Sequence, residues 1–161
     1  LWLNQTLNLS WEVTDEDPSQ PGFPFKYSYR LSITGNSAQI SHLIIEASSN
    51  FSAADYTGLT GAIVDAIGWQ QAGPGNPSMP ENIYGIKFFP SVGTLDMQWS
   101  FYSNRRPVWG DFYAKCGAVG GIQNVTYNFN DTGGVKNGFL SPDSDPMGPA
   151  SSGSSWLNTG W

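Results

Sequence analysis

"FKYSYRLSIT", residues 25–34, is the stretch that decides the fold. Phe25, Tyr27, Tyr29, Leu31 and Ile33 alternate with Lys26, Ser28, Arg30, Ser32 and Thr34. A pleated strand points successive side chains to opposite faces, so this pattern is a strand with one buried and one wet face. Residues 1–13, "LWLNQTLNLSWEV", repeat it: Leu1, Leu3, Leu7, Leu9, Trp11 and Val13 oppose Asn4, Thr6, Asn8, Ser10 and Glu12. So do residues 94–102, "TLDMQWSFY", with Leu95, Met97, Trp99 and Phe101 on the apolar side and Asp96, Gln98 and Ser100 on the other.

Working outward, "ISHLIIEASS" from residue 40 carries a continuous apolar run at Leu43–Ile45 and reads as a more buried strand. In "SAADYTGLTGAIVDAIG", Ser52 is placed to cap one helical turn through Tyr56, and Ala62–Ile67 fits a strand or a helix. "WQQAGPGNPSMPEN", residues 69–82, is a proline-rich loop. "IYGIKFF" is a strand with Gly85 as a bulge or close-approach point, and residues 108–115 and "IQNVTYNF" are further strands. Residues 133–161, rich in Gly, Ser, Pro and Asp, read as a loop-rich tail.

No βαβ alternation or solenoid period is visible. The expected fold is all-β: one antiparallel β-sandwich domain over residues 1–161, Ig-like or jelly-roll-like, with about seven to nine strands and long loops. Composition agrees. The chain has 161 residues, enough for one domain with a substantial core. Aromatics are 14% and charged residues 12%, with 19 Gly and 11 Pro, which suits short strands and irregular loops and leaves few strong helix formers.

The formal charge of −6 repels phosphate backbones and anionic headgroups, so nucleic acid is not an expected partner. No apolar run reaches the roughly 18–20 residues of a spanning helix. Leu1 in place of an initiator Met is what a processed product or a fragment would show.

The search for reactive chemistry yields little. His42 is the single histidine and Cys116 the single cysteine, and no Gly-x-Ser-x-Gly elbow occurs. One His and one Cys do not make a zinc or copper site. The acidic clusters Asp15, Glu16, Asp17 and Asp143, Asp145 read as solvated loops, since neither follows an EF-hand pattern; a calcium adhesin is the sharper alternative. Glu46, Asp96 and Asp111 are strand carboxylates in which sequence alone shows no facing pair. The expectation is therefore no enzyme, no cofactor and no metal site. Cys116 is expected to be a buried thiol rather than a link to another subunit.

Residues 105–117, "RRPVWGDFYAKCG", carry a row of Trp109, Asp111, Tyr113 and Lys115 opposite Val108, Gly110, Phe112 and Ala114. The plain expectation is a sandwich strand with its aromatics packed under a loop, Asp111 being satisfied by backbone N–H groups or by Arg105. The sharper one is a glycan platform of Trp69, Trp109, Asp111 and Tyr113, because flat rings stack on sugars and a carboxylate accepts hydroxyl protons. Five Asn-x-Ser/Thr sequons, at Asn4, Asn8, Asn50, Asn124 and Asn130, are candidate N-glycosylation sites.

Together, "GPGNPSMPENIYGIKFF", "SFYSNRRPVWGDFYAKCG", "GFLSPDSDPMGPASSGS" and "ISHLIIEASSNFSAAD" resemble the secreted, PEP-CTERM-tagged (exosortase-sorted) surface and matrix proteins of exopolysaccharide-producing bacteria. The resemblance covers most of residues 25–154 and is most specific at Pro107–Lys115. It implies an exported, β-rich surface or biofilm-matrix protein, extracellular and without an established enzymatic role. It carries over no catalytic residue. The chain as given has no Pro-Glu-Pro tag, and Cys116 stands where the pattern has Asp or Gly.

The leading functional expectation is a non-enzymatic extracellular structural protein that self-associates into a filament. Its assembly strand would be residues 1–13, with Leu1, Leu3, Leu7, Leu9, Trp11 and Val13 donated to a neighbouring subunit. The plain alternative has that strand folded into its own sandwich. The second functional expectation is a carbohydrate-binding module that uses exposed aromatics to hold an extracellular polysaccharide.

Overall fold

The computed structural model describes residues 6–15, 18–35, 38–119, 121–128 and 140–142. Leu1, Leu3, Asn4, Glu16, Asp17, Asn130, Asp143, Asp145 and most of the expected tail lie outside the described residues. What is described is all-β, with two antiparallel sheets packed as a sandwich.

The first sheet has the order β1-β2-β7-β4, built from Thr6–Thr14, Phe25–Thr34, Asp96–Ser103 and Tyr56–Thr60 respectively. The second has the order β10-β9-β3-β6-β5, built from Ile122–Asn128, Phe112–Val119, Ile40–Glu46, Ile83–Pro90 and Ala62–Gln70. A short pair, β8 (Pro107–Trp109) with β11 (Leu140–Pro142), completes the ladders. Ala62–Ile67, which fitted either regular structure by sequence, is strand.

Alternation is cashed out in the first sheet. Tyr27, Tyr29, Leu31 and Ile33 of β2 are buried, as are Met97, Trp99 and Phe101 of β7. The register sets Tyr27 opposite Phe101 and Tyr29 opposite Trp99. Each of these pairs stacks with ring centroids 5.2 Å apart. Phe88 of β6 reaches across from the second sheet to Phe101 at 5.9 Å and Trp99 at 5.6 Å. Burying side chains of this size contributes about 1.5–3 kcal/mol each before ordering costs. Gly85 is a close-approach point, as its sequence context suggested: a Cβ there would strike the Ile45 carbonyl.

Four expectations need correction. Residues 108–115 are not one strand, because the chain breaks at Gly110–Asp111 and passes from β8 to β9. There the Glu46 N–H donates to the Asp111 carbonyl, and the Asp111 N–H donates to the Glu46 carboxylate at 2.7 Å. β9 also continues past Cys116 to Val119. Leu95 is not in the core; it is 40% exposed in the link from β6 to β7, which lie in different sheets. Part of the expected loop tail is strand, since Leu140–Pro142 pairs with β8.

The N-terminal strand folds at home. β1 pairs with β2 from Thr6↔Thr34 to Thr14↔Lys26, and Val13 is fully buried while Leu7, Leu9 and Trp11 are half-buried against the core. Donating β1 to another subunit would mean giving up this nine-residue ladder.

Candidate functional site

The chain crosses between the sheets at Gly61, which sits between β4 and β5. Its φ is +82°, and a Cβ would overlap the Gln98 carbonyl, so only glycine fits this corner. β4 then forms an edge of one sheet and β5 an edge of the other. Between them, away from the corner, lies an open groove of about 410 Å³. Phe51, Tyr56, Val64, Ile67 and Tyr84 give it an apolar wall, and Ser52 gives it a polar point. Next to it stands Trp69, 62% exposed and edge-on to Tyr84 at 5.9 Å. An asymmetric indole open to solvent beside an aromatic wall is a surface on which a flat ligand can stack.

The floor of the groove is held from behind. Phe51 is 1% exposed, and its carbonyl accepts the Tyr84 hydroxyl at 2.8 Å. The buried Arg105 guanidinium lies 5.8 Å from the Phe51 ring. Arg105 pairs with Asp55, Nε to Oδ1 at 3.1 Å, and donates to the Asn50 side chain and carbonyl at 2.9 and 2.8 Å. Asp55 also closes a capping box with Ser52 on the 3-10 turn Ala53–Asp55, the turn anticipated from Ser52. Burial pushes the Asp55 carboxyl up, but hydrogen bonds from Arg105 and Ser52 outweigh it and leave it below the ordinary range. Arg105 is thus paired with Asp55, a partner that the sequence did not suggest.

Of the expected glycan platform, Trp69 is not brought together with Asp111 and Tyr113. Trp69 is exposed on β5, but Asp111 and Tyr113 are buried, at 5% and 0% exposure. β9, which carries Tyr113, is separated from β5 by β3 and β6. Three strand spacings put the two about 14 Å apart. The Tyr113 hydroxyl donates to the Pro77 carbonyl at 2.8 Å, and burial pushes its pKa up to about 12. Period-two reading put Tyr113 on the correct face of its strand; the face is covered by residues 71–82. The backbone of Trp109 lies in β8, and its side chain lies outside the described residues.

Cys116 is 1% exposed inside the main core, and burial raises its thiol to about 11. It is placed as the packed thiol expected of it, with no surface from which to bridge to another subunit. Of the sequons, Asn8 and Asn50 are exposed and Asn124 half-buried. Ser41, His42 and Asn76 line up, Ser41 Oγ to His42 Nδ1 at 3.2 Å and His42 Nε2 to Asn76 Oδ1 at 2.8 Å. The order resembles a nucleophile-base-orienter line. However, burial and then Lys87 lower His42 to about 4, which makes it a weak base, and His42 and Asn76 are themselves buried. Among the described residues no three His, Cys, Asp or Glu side chains gather as a metal site, and no helix is long and apolar enough to cross a membrane.

Phe51, Tyr56, Tyr84 and the Arg105–Asp55 pair were not singled out by sequence. They come from three separate segments, and no spacing rule links them. Comparison with family models, with curated proteins and with solved structures finds no match to this chain.

Proposed function

We propose that this chain is a non-enzymatic binding module of an extracellular matrix or cell surface, and that it holds a polysaccharide in the groove between β4 and β5. One observation carries this reading: Trp69 stands open to solvent beside a wall of Phe51, Tyr56 and Tyr84 whose backing is rigidly hydrogen-bonded. Sugar rings present an apolar face of C–H groups, which stack on such aromatics, while their hydroxyls find an acceptor at Ser52. A preorganised floor lowers the ordering cost of binding. The overall charge of −6 favours neutral chains over polyuronates.

The test is affinity electrophoresis and calorimetry on neutral and acidic polysaccharides with the wild type and Trp69→Ala. Retention by a neutral chain, weakened about tenfold in the variant, is expected. Equal retention of both proteins, or none by either, defeats the reading.

A second reading, the filament subunit, is favoured by β1. Among the described residues β1 has only β2 beside it, and Leu7, Leu9 and Trp11 are half-buried. A strand from another copy, laid along that open edge, would cover them and extend the sheet. Negative-stain images and sedimentation at rising concentration test it; a monomer throughout removes it.

A further inference from the structure

The outer face of the second sheet, which carries His42, Ile44 and Tyr113, is crossed by residues 71–82, a strap without regular strands. Met79, 5% exposed, packs there with Ile44, Ile83 and Tyr113 in a small cluster separate from the main core. Polar contacts fasten the strap. Asn76 Oδ1 takes the His42 Nε2 contact at 2.8 Å while Asn76 Nδ2 donates to the Gln71 carbonyl at 2.8 Å, and the Pro77 carbonyl accepts from Tyr113. Because the Asn76 amide faces the Gln71 carbonyl with its nitrogen, its oxygen accepts, and His42 Nε2 carries the proton. His42 Nδ1 then accepts from Ser41.

We propose that the 71–82 strap is an acid-sensitive cover: protonation of His42 loosens it and uncovers the apolar patch of Ile44, Met79, Ile83 and Tyr113.

The reason is what surrounds the imidazole. His42 is 3% exposed, between the rings of Phe89 on β6 and Tyr113 on β9. The charged groups acting on it are Lys87 of β6 and Lys115 of β9, both repelling an imidazolium, and Asp65 of β5, which lies 3.7 Å from the Lys87 ammonium. Both hydrogen bonds survive protonation if the Ser41 hydroxyl turns to accept. The cost is therefore burial beside two cations, and lifting the strap lets water reach the ring. Letting go of a loop is easier than unpairing β3, which has a neighbour strand on each side.

The direction follows from linkage. Closed, His42 titrates near 4; exposed to water it titrates near 6.5. Above 6.5 it is neutral in both states, and the strap keeps its full hold. As pH falls from 6.5 to about 4, the open state takes up a proton that the closed state refuses. The open-to-closed ratio then rises on the order of a hundredfold by pH 4.

His42 is the only histidine, so its imidazole signals in an NMR titration are unambiguous. Expected are a midpoint near 4, not 6.5, and amide protection factors that fall for residues 71–82 between pH 6.5 and 4 while those of β2 and β7 hold. Lys87→Gln should move the midpoint up, and His42→Gln, which keeps a donor toward Asn76, should keep the strap protected in acid. The proposal is overturned by a midpoint near 6.5 with the strap still protected, by protection lost over all strands together, or by acid loosening that persists in His42→Gln.

Discussion

The two sheets differ in what lies on their outer faces. The first turns Asn8, Glu12, Arg30, Asp96 and Gln98 to water. The second is covered on both sides, by the shared core within and by the 71–82 strap without. The same backbone geometry therefore yields two sequence textures. Strands wetted on one side alternate, as in β2; β3, buried on both sides, reads as "ISHLIIE" with burial at every position from His42 to Ile45. Each sheet also holds its side chains to a different standard. A polar group on the first sheet's outer face can turn to water, whereas His42 and Tyr113 under the strap depend on Asn76 and Pro77.

The strongest test of that comparison removes what the sheets share. Phe101→Ala should cost about 3–5 kcal/mol and melt both sheets in one transition, read by denaturant unfolding with two probes. Separate transitions would show that the sheets are not one cooperative unit. Arg105→Ala leaves Asp55 and Asn50 without their buried cation and should cost about 3 kcal/mol or more. It should also loosen Phe51 and weaken any groove ligand; unchanged stability would mean that the groove floor does not need its backing.

Met79→Ala should cost about 2 kcal/mol, at the low end for such a truncation because a loop can settle into the space. Its exchange effects should stay within residues 71–82 and the outer face of β3, β6 and β9; spread into β2 and β7 would erase the distinction between the two clusters. Tyr113→Phe deletes one buried hydrogen bond and should cost about 1 kcal/mol, again with loosening confined to the strap. Arg30→Gln is the smallest. Arg30 reaches Asp96 at 2.6 Å on the wet face, where water and salt screen the pair, and the melting temperature should not move beyond error. A clear drop would mean that the first sheet's outer face is not simply solvated.

Legibility followed the same division. Tyr27, Tyr29, Leu31, Met97, Trp99 and Phe101 were placed in the core by alternation alone. Tyr113 was assigned to the right side of β9, but its neighbours along the strand gave no sign that a loop thirty-six residues away covers that side. Trp69 was singled out as a candidate stacking residue and is exposed, while Asp111 and Tyr113, named with it, are buried. Trp69 and Tyr84 meet because β5 and β6 are paired, while Phe51 arrives from a loop pinned by Arg105.

By itself the sequence determined an all-β chain, the buried face of its alternating strands, the turn at Ser52 and the close approach at Gly85. These are local properties, set by side-chain period and by what single residues tolerate. Only the tertiary structure decided that β1 lies in its own sheet, that Arg105 answers Asp55, that a strap roofs the second sheet, and that the crossing at Gly61 opens a groove between β4 and β5. Each of these depends on which distant segments pair, and that choice is made by the joint burial of surfaces that no single stretch of chain contains.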